Sequence, residues 1–296
     1  PNPDFGAVFS YYLKEGFKTK KEIRQEKEKA LKNRSVPFPG WEAVKDEALE
    51  EKAKIWLTVK DKGGNVVRRI SGPTKKGFHR IAWDLRYPAP EIIGMNVSEG
   101  EEPKGMLAAP GDYTVELYKE LAGKITSLAQ PVAFTVVPLR EGALKGASHE
   151  EVASFYRAYE KVAGDLSRVS SDLAKAKKIV AAMQRALARS QSVPGSLDER
   201  LFKLKTRINE IDLTLNGNPA KVRVGEKTKT TLGSRLFSVN RSISNSTYGP
   251  TGTNKKTMEI IKKELNTLSG KLDEAKLEIQ AVRQALTAAG APPVEK

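Results

Sequence analysis

Cysteine is absent from all 296 residues, so disulfides, thiolate nucleophiles and cysteine-ligated metals are excluded together. Histidine is nearly as scarce. His79 and His149 are the only two, which argues against a histidine metal centre and against a Ser-His-Asp triad. No apolar run approaches the ~20 residues that cross a bilayer, so no membrane span is expected. Phosphate-cradling loops are missing too. "GPTGTNKKT" (249–257) has the composition of one but not the Walker spacing, and it follows no strand; it reads as the cap of a final helix. Aromatic residues make up only 7% of the chain.

What is present describes a globular protein. Hydrophobic residues at 39% beside 29% charged residues can bury a real core, and the length suits one large or two ordinary domains. The chain opens at Pro1 with neither methionine nor signal peptide, which reads as a processed or excised fragment. The formal net charge of +15 is unevenly spread. Between Gly217 and Lys256 stand eight basic residues against one acid, Glu226. Elsewhere the signs are mixed, as on ordinary solvated faces.

Two periodicities divide the chain. Up to about residue 140 it alternates with a period of two. "GAVFSYYL" (6–13) is an apolar, aromatic strand, and "KIWLTVKDKGGNVVRRI" (54–70) is a hairpin turning at Lys62-Gly63-Gly64. "APGDYTVELYKE" (109–120) and "PVAFTVV" (131–137) supply further strands. In "GFHRIAWDLRYPAP" (77–90), His79, Ile81, Trp83 and Leu85 share one face and Arg80, Ala82, Asp84 and Arg86 the other. This places Trp83 in a core and Asp84 beside arginines, as surface charge pairing rather than acid/base chemistry. A charged helical insertion is expected at about 15–52.

From about Ser148 the spacing becomes four and three. Phe155 to Leu187 and Met258 to Leu286 form long heptad seams; Leu197 to Leu215 and Leu232 to Ile243 form shorter ones. Ser148 and Glu151 make a capping box, and Pro194-Gly195 and Asn216-Gly217 are stops. The two short seams placed end to end match the long ones. The expected fold class is therefore α+β in two domains. Residues 1–145 form a β-sandwich, and 146–296 an antiparallel three-helix bundle whose middle helix is broken. From that break "NGNPAKVRVGEKTKT" (216–230) protrudes.

"NPDFGAVFSYYLKE", "VKDKGGNVVRRISGPTKKGFHRIAWDLRYPAP" and "APGDYTVELY" resemble the region that follows the β-propeller in large secreted bacterial proteins. Those proteins carry sialidase-type BNR repeats, are sortilin-like (Vps10-type) in the propeller, and are often labelled glycosyl hydrolases. Lys54 to Tyr118 is also similar to the Ig-like domain of flagellar hook-capping proteins. "TLGSRL" and the Gly-Ala-Pro at 290–292 fit the same family's C-terminus. The resemblance implies an Ig-like sandwich with Trp83 in its core and Tyr113 as a strand-opening corner residue. It also implies a bacterial location that is secreted, periplasmic or on the outer-membrane surface, and the chain's own N-terminal propeller as a partner.

No catalytic, cofactor or metal residue is assigned. A glycosidase needs two facing carboxylates, and neither Glu101-Glu102 nor Glu50-Glu51 has an identifiable opposite partner. The expected function is a non-catalytic accessory or assembly module making protein or glycan contacts. Two alternatives stand beside it: the C-terminal part of a glycan hydrolase whose active site lies in the propeller, and a basic nucleic-acid binder. The last is disfavoured, because the basic stretch has almost no aromatics to stack on bases. Lys221, Arg223, Lys227 and Lys229 are the candidate contact with an acidic protein or an anionic cell-surface glycan; a plain solvated loop is the competing reading.

Overall fold

A computed structural model describes residues 5–31, 35–94, 103–139, 145–246 and 248–295. The chain is mixed α+β. In order it contains β1 (Ala7–Leu13), α1 (Lys20–Ala30), α2 (Trp41–Leu49), β2 (Lys54–Asp61), β3 (Val66–Gly72), β4 (Gly77–Trp83), β5 (Arg86–Pro88), β6 (Lys104–Leu107), β7 (Gly111–Leu121), β8 (Lys124–Ser127) and β9 (Val132–Val136). There follow α3 (His149–Leu187), α4 (Ser196–Asn216), α5 (Pro219–Arg223), α6 (Leu232–Ser244) and α7 (Gly252–Ala288).

Two compact units result, Pro1–Pro88 with Pro103–Glu141, and Ala89–Glu102 with Gly142–Lys296. The division is not a single cut near residue 145. Residues following Pro88 group with the helices because α3 is shaped to receive them. A Cβ at Gly164 would stand 3.0 Å from the Pro90 carbonyl oxygen, and Ser167 Oγ accepts the Ile92 N–H at 3.1 Å.

In the first unit every pairing is antiparallel. β2 is flanked by β3 and β7, and β7 also pairs with β8 and β9; β1 pairs with β4, and β5 with β6. Ile55, Leu57 and Val59 on β2 are buried on one face, Leu57 between Ile70 and Leu117 on the flanking strands, and Thr58 is buried on the other face. Two apolar clusters join the β2 sheet to the β1–β4 pair. One holds Val59, Val67, Trp83, Ala108 and Tyr113, the other Tyr11, Leu13, Ile55 and Leu57.

Trp83 is 1% exposed, and its indole N–H donates to the Arg86 carbonyl at 2.9 Å. Tyr113 meets it edge-on at 5.5 Å and donates its hydroxyl proton to the Ala109 carbonyl at 2.6 Å, a bond back to the chain just upstream of its own strand. Both residues are buried in the same apolar cluster. The strand does not run on to Arg86, however. β4 ends at Trp83, and Leu85 takes a positive φ of 58°, a conformation unusual for a leucine. Asp84 accepts the Arg86 N–H at 3.1 Å, while the Arg86 guanidinium donates to the Gly105 carbonyl. Asp84 thus shapes a turn instead of pairing with arginines across a sheet surface, and Leu85 still packs on the Trp83 cluster from the bend.

In the second unit α3 has 39 residues and α7 has 37, against 21 in α4 and 13 in α6. Along α7 the seam residues Met258, Ile261, Leu265, Leu268, Leu272, Ala275, Ile279, Val282 and Leu286 are all buried. On α3 most are; Phe155, Leu166 and Leu187 are half-buried, and Ala163 and Ala186 are buried beside them. Ion pairs fix direction. Glu151–Lys255 and Asp172–Lys276, both at 2.6 Å, align α3 with α7 start to start. Arg200–Glu278 and Arg207–Glu274 run α4 against α7. Near the start of α7, α6 ends, with the buried Asn254 amide donating to Ser242 Oγ at 3.0 Å. The capping box expected at Ser148 is half present. Ser148 Oγ accepts the Glu151 N–H, but the Glu151 carboxylate turns to Lys255. Thr251 caps α7, as the sequence indicated.

Candidate functional site

The connector between α4 and α6 begins where Gly217, with φ of 80°, lets the chain leave the helix. Asn218 then caps a new turn. Its Oδ1 accepts the Ala220 N–H at 2.9 Å, and Pro219 occupies the first helical position, where its missing N–H costs nothing. The result is α5, one helical turn in a stretch whose glycines and proline read as loop. Glu226 N–H closes back onto the Lys221 carbonyl at 2.9 Å, and Thr231 caps α6 through the Ser234 N–H.

This short frame displays the basic side chains. Lys221, Arg223 and Lys227 are exposed and form no ion pair among the described residues, and Val222 and Val224 are exposed between them. Lys229 differs. Its ammonium lies 2.9 Å from Glu264 on α7, so the fourth candidate is partly neutralised and pins the connector to the helix.

A second constellation escaped the sequence reading. On the face of the β2 sheet opposite the core, Trp56 and Tyr118 are direct cross-strand partners, as are Thr58 and Glu116. The Arg69 guanidinium lies over the Trp56 ring at 4.3 Å, and the indole donates to Glu120. Lys60 pairs with Glu116 at 2.8 Å, and the Tyr118 hydroxyl donates to the same carboxylate. These bonds hold Glu116 below the ordinary carboxyl range, chiefly through Lys60, and Glu120 likewise, chiefly through Trp56. Tyr118 is raised by donating to Glu116. The signal for this face was the alternation Trp56, Thr58, Lys60 against Glu116, Tyr118, Glu120, visible only once the register of β2 on β7 is known.

Chemically the face is a poor acid/base site. Glu116 and Glu120 stand four residues apart on one strand, ~13 Å between Cα atoms, and both carboxylates are already engaged, Glu116 by Lys60 and Tyr118 and Glu120 by Trp56. Neither would carry a proton to donate at neutral pH. Glu50 accepts the Lys20 N–H, and Glu51 lies 3.6 Å from Lys54; Glu101 and Glu102 lie outside the described residues. Among the described residues no cluster of three or more His, Asp or Glu could hold a metal, and no helix is long and apolar enough to cross a membrane. Set against family models, curated proteins and solved structures, the chain matches none.

Proposed function

We propose that this chain is a non-catalytic binding and assembly module. In this reading the first unit is an Ig-like sandwich, and the second an antiparallel three-helix bundle whose middle helix, α4 plus α6, is broken at the connector. Such a module would follow the propeller of a secreted or cell-surface bacterial protein and make its contacts with an acidic protein or an anionic glycan. The observation that carries the reading is the connector. Lys221, Arg223 and Lys227 are presented on a capped turn within seven residues, exposed and without ion pairs among the described residues. Charges of one sign closer than the Debye length, ~8 Å at physiological ionic strength, add their fields and attract polyanions without shape complementarity.

Replacing Lys221, Arg223, Lys227 and Lys229 with Ser or Gln tests it. The helical circular dichroism should not change, and retention on heparin-like or lipopolysaccharide matrices should fall; in the unaltered protein that retention should weaken steeply with salt. Salt-insensitive retention, equal in the altered protein, would return the connector to a solvated turn.

A further inference from the structure

Where α4 ends and the connector returns over α7, a groove of about 320 Å³ opens between Thr214, Lys229 and one stripe of α7. Ile260, Lys263, Glu264, Thr267, Leu268 and Lys271 form the stripe, at spacings of three and four that align them along the helix. The floor is apolar. Leu268 belongs to the buried seam, but Ile260 lies outside it and is 42% exposed, a large aliphatic side chain that the core of the helices does not use. The threonines offer a ligand no proton: Thr214 Oγ1 donates to the Glu210 carbonyl at 2.8 Å, and Thr267 Oγ1 to the Lys263 carbonyl at 3.1 Å.

The donors that remain are ammonium groups. Further along the same two helices, Arg200–Glu278 and Arg207–Glu274 tie α4 to α7, and this ladder of ion pairs stops where the groove begins. Lys263 and Lys271 are exposed and make no ion pair among the described residues; Lys229 is engaged with Glu264. Three lysines against one carboxylate leave the groove positive. Lys263 and Lys271 are eight residues apart, ~12 Å along the axis, a span that two long side chains can close onto one group from opposite ends. An anion alone would leave the floor wet, and an apolar solute alone would leave the ammoniums unpaired. The volume is that of a small-molecule site.

We propose that this groove binds small amphipathic anions. A phosphate, sulfate or carboxylate is held between Lys263 and Lys271, and a compact aryl or alkyl body lies on Ile260 and Leu268. The assignment does not rest on Lys221, Arg223 or Lys227; Lys229 alone is shared between the groove and the connector.

Titrating the full chain with phenyl phosphate, inorganic phosphate and benzyl alcohol, followed by amide NMR shifts, tests it. Phenyl phosphate should saturate, with shifts centred on Thr214, Ile260 and Thr267. It should bind roughly tenfold more tightly than inorganic phosphate, because the ring leaves water as the phosphate docks. Lys263→Gln with Lys271→Gln should weaken it by about tenfold at unchanged helicity. Glu264→Gln, which removes the opposing charge and frees Lys229, should tighten it severalfold. Equal affinity for both phosphates would reduce the groove to diffuse charge, and equal affinity for benzyl alcohol would reduce it to an apolar patch. Either result, an undiminished double variant, or no saturable binding overturns the proposal. Replacing Lys221, Arg223 and Lys227 should leave phenyl phosphate affinity within about twofold, so failure here and failure of the connector reading are separable.

Discussion

Two kinds of helix share this chain. α3 and α7 bury nine and ten residues respectively, whereas α1 and α2 in the insertion bury none. At 11 and 9 residues the latter are too short to be stable alone, and polar bonds hold them instead. Arg24 spans the gap with two parallel bonds to Glu47, at 2.7 and 2.8 Å, and a third to Glu28; Lys20 reaches Asp46, and Thr19 and Glu22 complete a capping box. The same secondary structure thus rests on apolar burial in one place and on charge pairing in another, with the Glu47 side chain itself largely covered. Burying a large apolar side chain is worth about 1.5–3 kcal/mol and is not screened by salt, whereas charge pairing weakens as salt rises. The insertion should therefore come apart first and on its own.

The sharpest break of this contrast is to open the cores. Trp83→Ala removes a fully buried indole and should cost about 3–5 kcal/mol in denaturant unfolding of the first unit. Ile261, with no exposed surface at all, is its counterpart in the helical unit, and Ile261→Ala should cost about 2–5 kcal/mol there. If either unit shifted by less than ~1 kcal/mol, its stability would not rest on the seam or cluster described.

The smallest effect should come from the insertion. Arg24 holds the Glu47 carboxyl below its ordinary value of 4.5, so the stabilisation it lends is present above that value and is lost as pH falls through the depressed one. Acidification below about pH 4.5 should release α1 and α2, seen as amide shifts moving toward coil positions, before the amides of α7 respond. Arg24→Ala should produce the same local loss at neutral pH without moving the unfolding midpoint of the helical unit. A shared midpoint shift would show that the insertion is not held separately.

The helical unit was the more legible half because its seam repeats what burial requires. Leu265, Leu268 and Leu272 recur at helical spacing, and no competing period exists. Strand alternation was legible as far as Trp83. It failed at Leu85, since no leucine announces a positive φ, and the bend there is imposed by Asp84 and by the Ala108 N–H bonded to the Leu85 carbonyl. Nothing local marks Pro90 and Ile92 as belonging with α3, because the partners are Gly164 and Ser167, more than seventy residues away. The exposure of Lys221, Arg223 and Lys227 could be read from Gly217 and Pro219; the tie from Lys229 to Glu264 could not, because it needs α7 alongside. The groove was hidden for a related reason. Lys263 and Lys271 look like any solvated helix face until Ile260 is found beside them on the outside of the seam.

The start-to-start alignment of α3 with α7, set by Glu151–Lys255 and Asp172–Lys276, has a mechanical consequence. The chain enters these helices at one pole and leaves at the other, after the ~55 Å of α7. Tension between the start of α3 and the end of α7 would run along the helix axes and load the whole apolar seam in shear. All turns would resist together, where an unzipping geometry would yield one turn at a time. Pulled in that direction, the helical unit would hold those two ends apart until the seam gave way as a whole.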